Sequence, residues 1–247
     1  MHRFFIPADW ISESTVVITG KLVHQIRNVL RLGAGDHIIV LDNMGWEYEI
    51  EIRKADSTRV EGRVIAKSPA GAEPRTKITL YQALLKRSNF EFVLQKCTEV
   101  GVAGFVPLIC ERCVAGEPDS KRLSRWRSII TEAAELSRRG KLPVLQNPTS
   151  FTEACKSASG ISLIPWEEEK TRGIGNVLRS HRKIRKDSAI NIFIGPEGGF
   201  SPHEVEFARS CGIVTVSLGH RILRAETAGL VAATITLYEF GELTTAR

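Results

Sequence analysis

The sequence predicts an α/β protein with two parts, a small β-barrel followed by a larger domain built on a parallel sheet. Its 247 residues exceed one average domain. The first 72 residues carry short alternating patterns typical of half-buried strands. From residue 73 onwards, near-continuous apolar strands alternate with helical segments, as in a parallel sheet covered on both faces. The Pro- and Gly-containing stretch 68–76 separates the two patterns and predicts domains 1–72 and 73–247.

The N-terminal part is rich in short strands. Its predicted strands are 3–6, 37–43, 46–53 and 57–67. One short helix interrupts them, because apolar residues recur at helical spacing from Val23 to Leu30 and Gly33 follows. Short antiparallel strands with one helix favour a small β-barrel, and modules of this size often bind single-stranded or irregular RNA.

The C-terminal part alternates strands with helices. Its predicted strands are 78–85, 105–110, 161–164, 190–195 and 213–219. Apolar stripes predict one helix from Phe90 to Val100, ended by Gly101, and a second from Leu123 to Ala134.

A final helix is predicted over 225–240, and it carries only Glu226 and Glu239 as charges. A helix that is apolar nearly all round is buried on most of its faces. At the end of a domain of this size, burial in a subunit interface explains the pattern, so a homodimer formed through this helix is the hypothesis. The alternative is a central helix of the monomer core.

Composition excludes several classes of protein. No stretch approaches the roughly 18 apolar residues of a membrane span, and the N-terminus lacks the pattern of a secretory signal. The five cysteines are scattered and odd in number, so we expect reduced thiols and a cytoplasmic location. Cys110 and Cys113 form a C-x-x-C without a second pair or neighbouring histidines. Neither zinc nor a redox role is expected there, and no metal site is expected elsewhere.

The charge is unevenly distributed along the chain. The net charge is +6, and residues 1–72 hold nine basic and nine acidic side chains, so the whole excess lies in the second part. Basic residues cluster at 121–141 and at 170–186. Such clusters fit a polyanionic partner, because each neutralised phosphate releases counterions. They equally fit solvated helix faces.

Two loops follow predicted strands at the edge where open α/β sheets bind ligands. In the first, IGPEGGFSPHE (194–204), glycines permit tight turns and close approach to a ligand. Its end is an ordinary helix start, with Ser201 as N-cap and Glu204 completing a capping box. Capping does not explain the rigid Gly-Pro-Glu-Gly-Gly with Glu197 at its tip. No G-x-G-x-x-G or P-loop pattern occurs, so dinucleotide and P-loop chemistry lack support.

The second loop, SLGHRILRAETAGL (217–230), turns at Gly219 and enters the final helix. It brings Arg221, Arg224 and Glu226 towards the first loop. Taken alone, Glu226 is also explained as a favourable charge in the first helical turn, with Arg224 as its partner.

Together the two loops and their order resemble the RsmE family of bacterial ribosomal small-subunit RNA (uracil-N3)-methyltransferases. Further segments agree along nearly the whole chain: RFFI, HQIRNVLRLGAGDHI, QKCTEVGVAGFVPLICERCV and RWRSIITEAAELSRR. The resemblance implies a SPOUT catalytic domain with a deep trefoil knot, preceded by a PUA-like barrel. It also implies a homodimer whose substrate is 16S rRNA or the 30S subunit.

The resemblance further implies S-adenosylmethionine as cofactor, held mainly by backbone groups of three loops. The implied residues are Ile164, Pro165, Ile194, Gly195, Glu197, Gly198, Gly199, Leu218, Gly219, Ile222, Leu223, Arg224 and Ala225. N3 of uracil carries a proton at neutral pH, so a base or a cationic group that stabilises the uracil anion lowers the barrier. Arg224 is the expected cation, and Glu197 or Glu226 the candidate proton acceptor. Proximity alone could also supply much of the rate.

Substrate contact is expected to use both parts of the chain. The expected phosphate-binding residues are Arg3, Arg27, Arg31, Arg138 and Arg139.

Three positions complicate the resemblance. Leu136 replaces a usual glutamine, the stretch from Lys86 to Phe90 lacks the usual Gly-Asp-Lys, and Trp166 lies beside a cofactor loop with either a stacking or a packing role.

Two other functions fit these motifs less well. A non-catalytic RNA-binding or ribosome-assembly protein with the same fold has no need of the two intact loops. A nucleotide-dependent oxidoreductase would carry a glycine fingerprint after the strand at 78–85, and none is present.

Overall fold

The computed structural model describes residues 1–182 and 189–244, which form two compact units. The first unit is Met1–Glu73 together with Ala134–Leu142, and the second is Pro74–Ala133 together with the chain from Pro143. The segment Ala134–Leu142 joins the first unit because Leu142 N donates to Asn43 Oδ1 at 2.7 Å and Phe5 N donates to Glu135 Oε1 at 3.0 Å. The sequence analysis places this segment in the second domain. The hydrogen bonds that join it to the first unit link residues far apart in the chain, so no local pattern signals them.

A five-stranded sheet organises the first unit, in the order β1-β3-β4-β5-β2. Its strands are β1 (Arg3–Phe5), β2 (Thr15–Thr19), β3 (His37–Leu41), β4 (Trp46–Ala55) and β5 (Arg59–Pro69). The four predicted strands are present, and β2 is an addition. β1 and β3 run parallel, whereas the sequence predicts antiparallel pairing throughout. β2 and the helix lie between β1 and β3 in the chain. They allow the chain to enter β3 in the same direction as β1, as a parallel pair requires.

The predicted helix of this unit is present in two pieces. Helix α1 (Lys21–His24) continues into a π-helical turn over Gln25–Val29. Val23 and Ile26 are buried against the sheet, which explains the apolar spacing. The chain then turns at Arg31, which has a left-handed φ of 57°.

A seven-stranded sheet with parallel pairing organises the second unit, as predicted. Its strands are β6 (Ile78–Ala83), β7 (Gly104–Ile109), β8 (Val144–Leu145), β9 (Thr149–Ser150), β10 (Ile161–Pro165), β11 (Ile190–Ile194) and β12 (Val214–Val216). Six follow the order β12-β10-β11-β6-β7-β8, and β9 also pairs with β7. The remaining helices are α2 (Asn89–Val100), α3 (Ser120–Leu136), α4 (Phe151–Ser157), α5 (Ile174–Arg182), α6 (Pro202–Ser210) and α7 (Ala225–Glu239).

The strand order brings three loops to one edge of this sheet. From β11 the chain passes beyond β10 to form β12, and α7 then returns against β11 and β6. The resemblance predicts the trefoil knot along this return path. Because β10, β11 and β12 are parallel, the segments that follow them, 166–173, 195–201 and 217–224, leave from the same edge.

Helix α7 is packed in the second unit but not fully covered there. Gly229, Ala233 and Leu237 are buried, and α7 contacts α2 and α5 as well as the sheet. Tyr238 is 66% exposed on the same helix. Within the described residues, none of the helices is both long and apolar enough to cross a membrane.

Candidate active site

Backbone hydrogen bonds join the loop after β10 to the end of β12. Trp166 N donates to Val216 O at 3.0 Å, and Ser217 N donates to Arg172 O at 2.7 Å. Ile174 N in turn donates to Ser217 O at 3.0 Å. The loop is therefore held at both of its ends against the strand that carries the third loop.

Glycines and two long side chains shape the loop after β11. Gly199 has a left-handed φ of 68°, and its N–H donates to Pro196 O at 2.9 Å in a tight turn. Arg112 Nη1 donates to Gly198 O at 2.9 Å and fixes the turn from outside. Glu197 Oε1 accepts a 2.9 Å hydrogen bond from Lys86 N, which holds the loop after β6.

The Gly199→Ala variant is expected to bind S-adenosylmethionine, the cofactor implied by the resemblance, about tenfold more weakly. A left-handed backbone costs a residue with a Cβ about 1–2 kcal/mol, and that cost falls on the loop conformation. Calorimetric titration of the cofactor measures the effect. Gly212→Ala is the matched control, because Gly212 has a φ of 82° and open space around its Cα but lies at the other edge of the sheet. Equal weakening by both variants would show that the loss is not specific to the loop.

The loop after β12 presents the expected cation. Gly219 has a φ of 106°, and a Cβ there would meet no atom within 4 Å, so the turn faces open space. Arg224 is the N-cap residue of α7, and its side chain is 87% exposed. Its guanidinium lies 3.9 Å from Glu226, whose side chain is 15% exposed. This distance is within ion-pair range but too long for a hydrogen bond.

A buried carboxylate supports the loop after β10 from below. Glu169 accepts hydrogen bonds from Thr171 Oγ1 at 2.7 Å and N at 2.9 Å, and from Thr215 Oγ1 of β12 at 2.9 Å. Arg172 N also donates to it, at 3.1 Å. The bonds from Thr171 and Thr215 are the main reasons that the pKa of Glu169 falls to about 2.

We expect the Glu169→Gln variant to be less stable than the wild-type protein by about 2–3 kcal/mol near pH 7, because charged hydrogen bonds to a buried group are lost. A carboxylate whose pKa is lowered by folding stabilises the protein above its unfolded-state pKa and loses that effect as the pH falls towards 2. The difference between the two proteins should therefore shrink between about pH 5 and pH 2. Urea unfolding at several pH values measures this. The exposed neighbour Glu168 provides the control Glu168→Gln, for which no such pH trend is expected.

The expected cofactor-binding residues fall on the three loops. Ile164, Pro165, Ile194, Gly195, Glu197, Gly198, Gly199, Leu218, Gly219, Ile222, Leu223, Arg224 and Ala225 lie at the carboxyl ends of β10, β11 and β12 or directly after them. Ile222 is 88% exposed and Leu218 is half-buried. Beside them, Gln82 at the end of β6 is fully buried, and its Oε1 has no hydrogen-bond partner among the described residues. Open glycine turns, apolar surface and an unpaired acceptor fit a ligand held largely through its neutral adenosine part.

The expected phosphate-binding arginines divide into two groups. Arg31 and Arg138 are exposed and Arg27 is half-buried. Arg139 is 2% exposed, and its guanidinium donates to Glu73 through Nε at 3.1 Å and Nη2 at 3.0 Å. The expectation that Arg139 binds phosphate is therefore corrected, because its charge is buried and paired. Arg3 is likewise mostly covered and bonded to Glu47. Of the cluster at 170–186, residues 183–186 lie outside the described residues.

The structure shows the surroundings of the three departures from the family pattern. Trp166 packs beneath Arg209, whose guanidinium lies 5.0 Å from the ring centroid, which favours its packing role. Leu136 is 74% exposed at the end of α3. In the stretch from Lys86 to Phe90, the Lys86 N–H is bound by Glu197, and the Phe90 ring packs 4.2 Å from Trp126.

Sequence reasoning missed the residues that support the loops. Arg112 and Glu169 act through contacts with segments far along the chain, so no local spacing signals them. Gly199 lies close to Glu167. A Cβ added at Gly199 would lie only 2.8 Å from Glu167 Oε1. Among the described residues, no group of three or more His, Cys, Asp and Glu side chains could hold a metal ion.

Comparison with known proteins places this site in a family. Family models match an RNA methyltransferase PUA domain at residues 18–65 and an RNA methyltransferase domain at residues 72–237. The ribosomal RNA small subunit methyltransferase E of Bacillus subtilis is 34% identical, over 97% of each chain. That of Synechocystis is 33% identical, over 94% of this chain and 75% of its own.

A solved structure agrees with the whole fold. The crystal structure of a ribosomal RNA small subunit methyltransferase E from Neisseria gonorrhoeae, bound to S-adenosyl methionine, aligns with a TM-score of 0.88 at 31% identity. The alignment covers 99% of this chain and 100% of the other. With the three loops, the parallel sheet and the small β unit all in place, this chain belongs to the ribosomal RNA small subunit methyltransferase E family.

Proposed function

We propose that this protein transfers the methyl group of S-adenosylmethionine to N3 of a uridine in 16S rRNA, in the cytoplasm. Family membership and the cofactor-bound relative support methylation of small-subunit rRNA. The choice of uracil N3 rests on the resemblance of the two loops to the RsmE family. The exposed guanidinium of Arg224 supports it, because a cation beside an anionic nucleophile lowers the barrier.

Arg224 would stabilise the reacting base. Uracil N3 loses a proton before or during attack, and the negative charge spreads onto the two carbonyl oxygens. A guanidinium beside them favours the anion and so the attack. The bound cofactor supplies a methyl group that its sulfonium already activates. The chain's own task is to hold base and methyl group in line and to keep the anion stable.

The two candidate glutamates then have different roles. Glu197 already accepts a hydrogen bond from Lys86 N, which suits it to positioning the loop. Glu226 lies near Arg224 in the first turn of α7 and has a side chain that is 15% exposed. We assign Glu226 to orienting the guanidinium, and it is the remaining candidate for accepting the N3 proton.

Arg27, Arg31 and Arg138 are the proposed phosphate contacts. Arg31 and Arg138 have φ angles of 57° and 61°, in the region that favours glycine. Such a backbone costs other residues about 1–2 kcal/mol, and both side chains are exposed and so open to a phosphate.

We further propose that α7 joins two copies of the chain. Tyr238 is 66% exposed, and Val231 and Ile235 on the same helix are only partly covered. Multi-angle light scattering should show a dimer. Tyr238→Arg should shift it towards monomer, whereas Phe92→Arg, at a 41% exposed site on α2, should not.

One assay tests the main proposal. Small subunits and their naked RNA, both from a strain that lacks this protein, are incubated with the protein and S-adenosylmethionine labelled in its methyl group. Nucleoside analysis should then find labelled 3-methyluridine. Label in another nucleoside would contradict the choice of N3. Cofactor binding without transfer to either RNA would contradict the choice of substrate, whereas absence of cofactor binding would favour the non-catalytic RNA-binding alternative.

A further inference from the structure

A four-residue turn at the end of β7 brings two cysteines together. Cys113 N donates to Cys110 O at 3.1 Å and closes the turn. Turns of this type keep their first and last Cα atoms within about 7 Å, and disulfides join Cα atoms about 4.4–6.8 Å apart. The backbone of this turn is therefore compatible with a disulfide between its two ends.

The Cys113 thiol lies against the backbone of Cys110, and the two thiols are chemically unequal. Cys110 N donates to Cys113 Sγ at 3.4 Å. A hydrogen bond from the Cys110 thiol lowers the pKa of Cys113 to about 7, and the same bond, with burial, raises the pKa of Cys110. Cys113 is half-buried and Cys110 is 6% exposed. The pair thus consists of a half-buried thiol that ionises readily and a sheltered thiol beside it.

The residues between the cysteines hold the cofactor loop. Arg112 Nη1 donates to Gly198 O at 2.9 Å and to Phe200 O at 3.4 Å. The aliphatic part of the Arg112 side chain also lies against Gly198. A Cβ added at Gly198 would be 3.5 Å from Arg112 Cβ. Next to it, Glu111 N donates to Glu204 Oε1 at 2.9 Å, at the start of α6. The second half of the loop after β11 and the start of α6 are therefore tied to the turn that carries the two thiols.

We propose that Cys110 and Cys113 form a reversible disulfide that weakens cofactor binding by moving Arg112 away from the loop after β11. The proposal rests on the proposed function only in taking S-adenosylmethionine as the ligand of that loop. It changes the sequence-based interpretation of the pair as ordinary thiols. Disulfides in the cytosol are usually transient and redox-sensing, which suits a half-buried pair beside a binding site.

The oxidant is a small-molecule disulfide of the glutathione class. The Cys113 thiolate attacks one sulfur of that disulfide, forms a mixed disulfide and releases one small thiolate. The Cys110 thiol then loses its proton to solvent and attacks Cys113 Sγ, which releases the second small thiolate. Two electrons pass from the cysteine pair to the oxidant, and a small dithiol reverses the process.

Bond formation changes the shape of the turn. An S–S bond is about 2.05 Å long, far shorter than a contact between hydrogen-bonded thiols. Cys113 Sγ must also leave the carbonyl oxygens of Leu84 and Leu108, each 3.7 Å away. The bond from Arg112 to Phe200 O is already 3.4 Å long, so a small rotation of the turn breaks it.

The test uses the full chain with Cys211→Ser, which removes an exposed thiol outside the pair. The protein is treated with oxidised glutathione and its thiols are mapped by alkylation and mass spectrometry. S-Adenosylmethionine binding is measured by calorimetry before and after, and again after dithiothreitol. We expect a Cys110–Cys113 disulfide, about tenfold weaker binding, which corresponds to the loss of one charged hydrogen bond, and full recovery on reduction.

Three further variants separate the parts of the proposal. Cys113→Ser should bind the cofactor normally and ignore the oxidant, and Cys110→Ala should stop at the glutathione adduct of Cys113. Arg112→Ala should bind weakly whether reduced or oxidised. Failure to form the disulfide, or equal binding by the reduced and oxidised proteins, overturns the proposal. Absence of binding by the reduced protein contradicts the proposed function instead.

Discussion

The Arg224→Ala variant is expected to transfer methyl groups about 100- to 1,000-fold more slowly than the wild-type protein, as when one donor that stabilises an anionic transition state is removed. The side chain is 87% exposed and makes no hydrogen bond to Glu226, so its loss should leave the fold intact. Single-turnover transfer to small subunits at saturating cofactor and RNA measures the chemical step directly.

The matched control is Arg221→Ala, an exposed arginine in the same loop. It removes the same charge from the same surface, so a general effect on RNA attraction would appear in both variants. The single-turnover rate should fall only in Arg224→Ala, and Arg224→Lys should recover part of it. If both alanine variants lose only affinity for RNA, and neither loses rate, Arg224 belongs to the RNA-binding surface and not to the chemistry.

A pH profile gives the same assignment an independent check. If Arg224 stabilises the uracil anion, the wild-type rate should rise with pH as N3 loses its proton, and Arg224→Ala should need a higher pH to reach a given fraction of its maximum. Glu226→Gln should behave like a weaker version of Arg224→Ala if it orients the guanidinium. If Glu226 instead accepts the N3 proton, Glu226→Gln should react only with uracil that has already ionised, so its rate should fall far below that of the wild type at neutral pH and recover as the pH rises.

The parts of the fold that were predictable are those with strong local patterns. β11 (Ile190–Ile194) is buried along its whole length, and four of its five positions are apolar. The capping box of Ser201 and Glu204 forms as predicted, since both partners lie within one helical turn. β2 was missed because only Val16 and Ile18 of its five residues are buried, which leaves too short an alternation.

The parts that were not predictable depend on partners far along the chain. Thr215 is 46 positions from Glu169, and Glu73 is 66 positions from Arg139. A single sequence gives no signal for such pairs, because burial and pairing are decided by tertiary packing. The loops themselves were found through their glycines, whose spacing is local. The side chains that hold the loops in place were not.

Arg138 and Arg139 show this limit at two adjacent positions. The sequence offers the same interpretation for both, a basic pair at the end of a helix. In the structure Arg138 is exposed with a φ of 61°, while Arg139 is buried against Glu73. Gly140 N and Lys141 N also donate to Glu73, at 3.1 and 3.2 Å, so the carboxylate is the centre of a turn that belongs to the first unit.

Arg139→Ala is therefore expected to destabilise the first unit by about 3–5 kcal/mol, because it leaves a mostly buried carboxylate without its cation. Arg138→Gly should have the opposite effect on stability, a gain of about 1 kcal/mol, since glycine adopts the left-handed backbone without a penalty. Their effects on RNA should be reversed. Arg138→Gly should lower by about one the slope of log affinity against log salt, as one phosphate contact is lost.

Urea unfolding measures the effects on stability. RNA binding at several salt concentrations measures the effects on the salt slope, at a temperature where circular dichroism shows that both variants are folded. A lower salt slope in Arg139→Ala with unchanged stability would restore the sequence-based interpretation of Arg139. The expected result separates two neighbouring arginines by what each touches. Arg139 holds the turn through Glu73, and Arg138, on the same turn, is the proposed RNA contact.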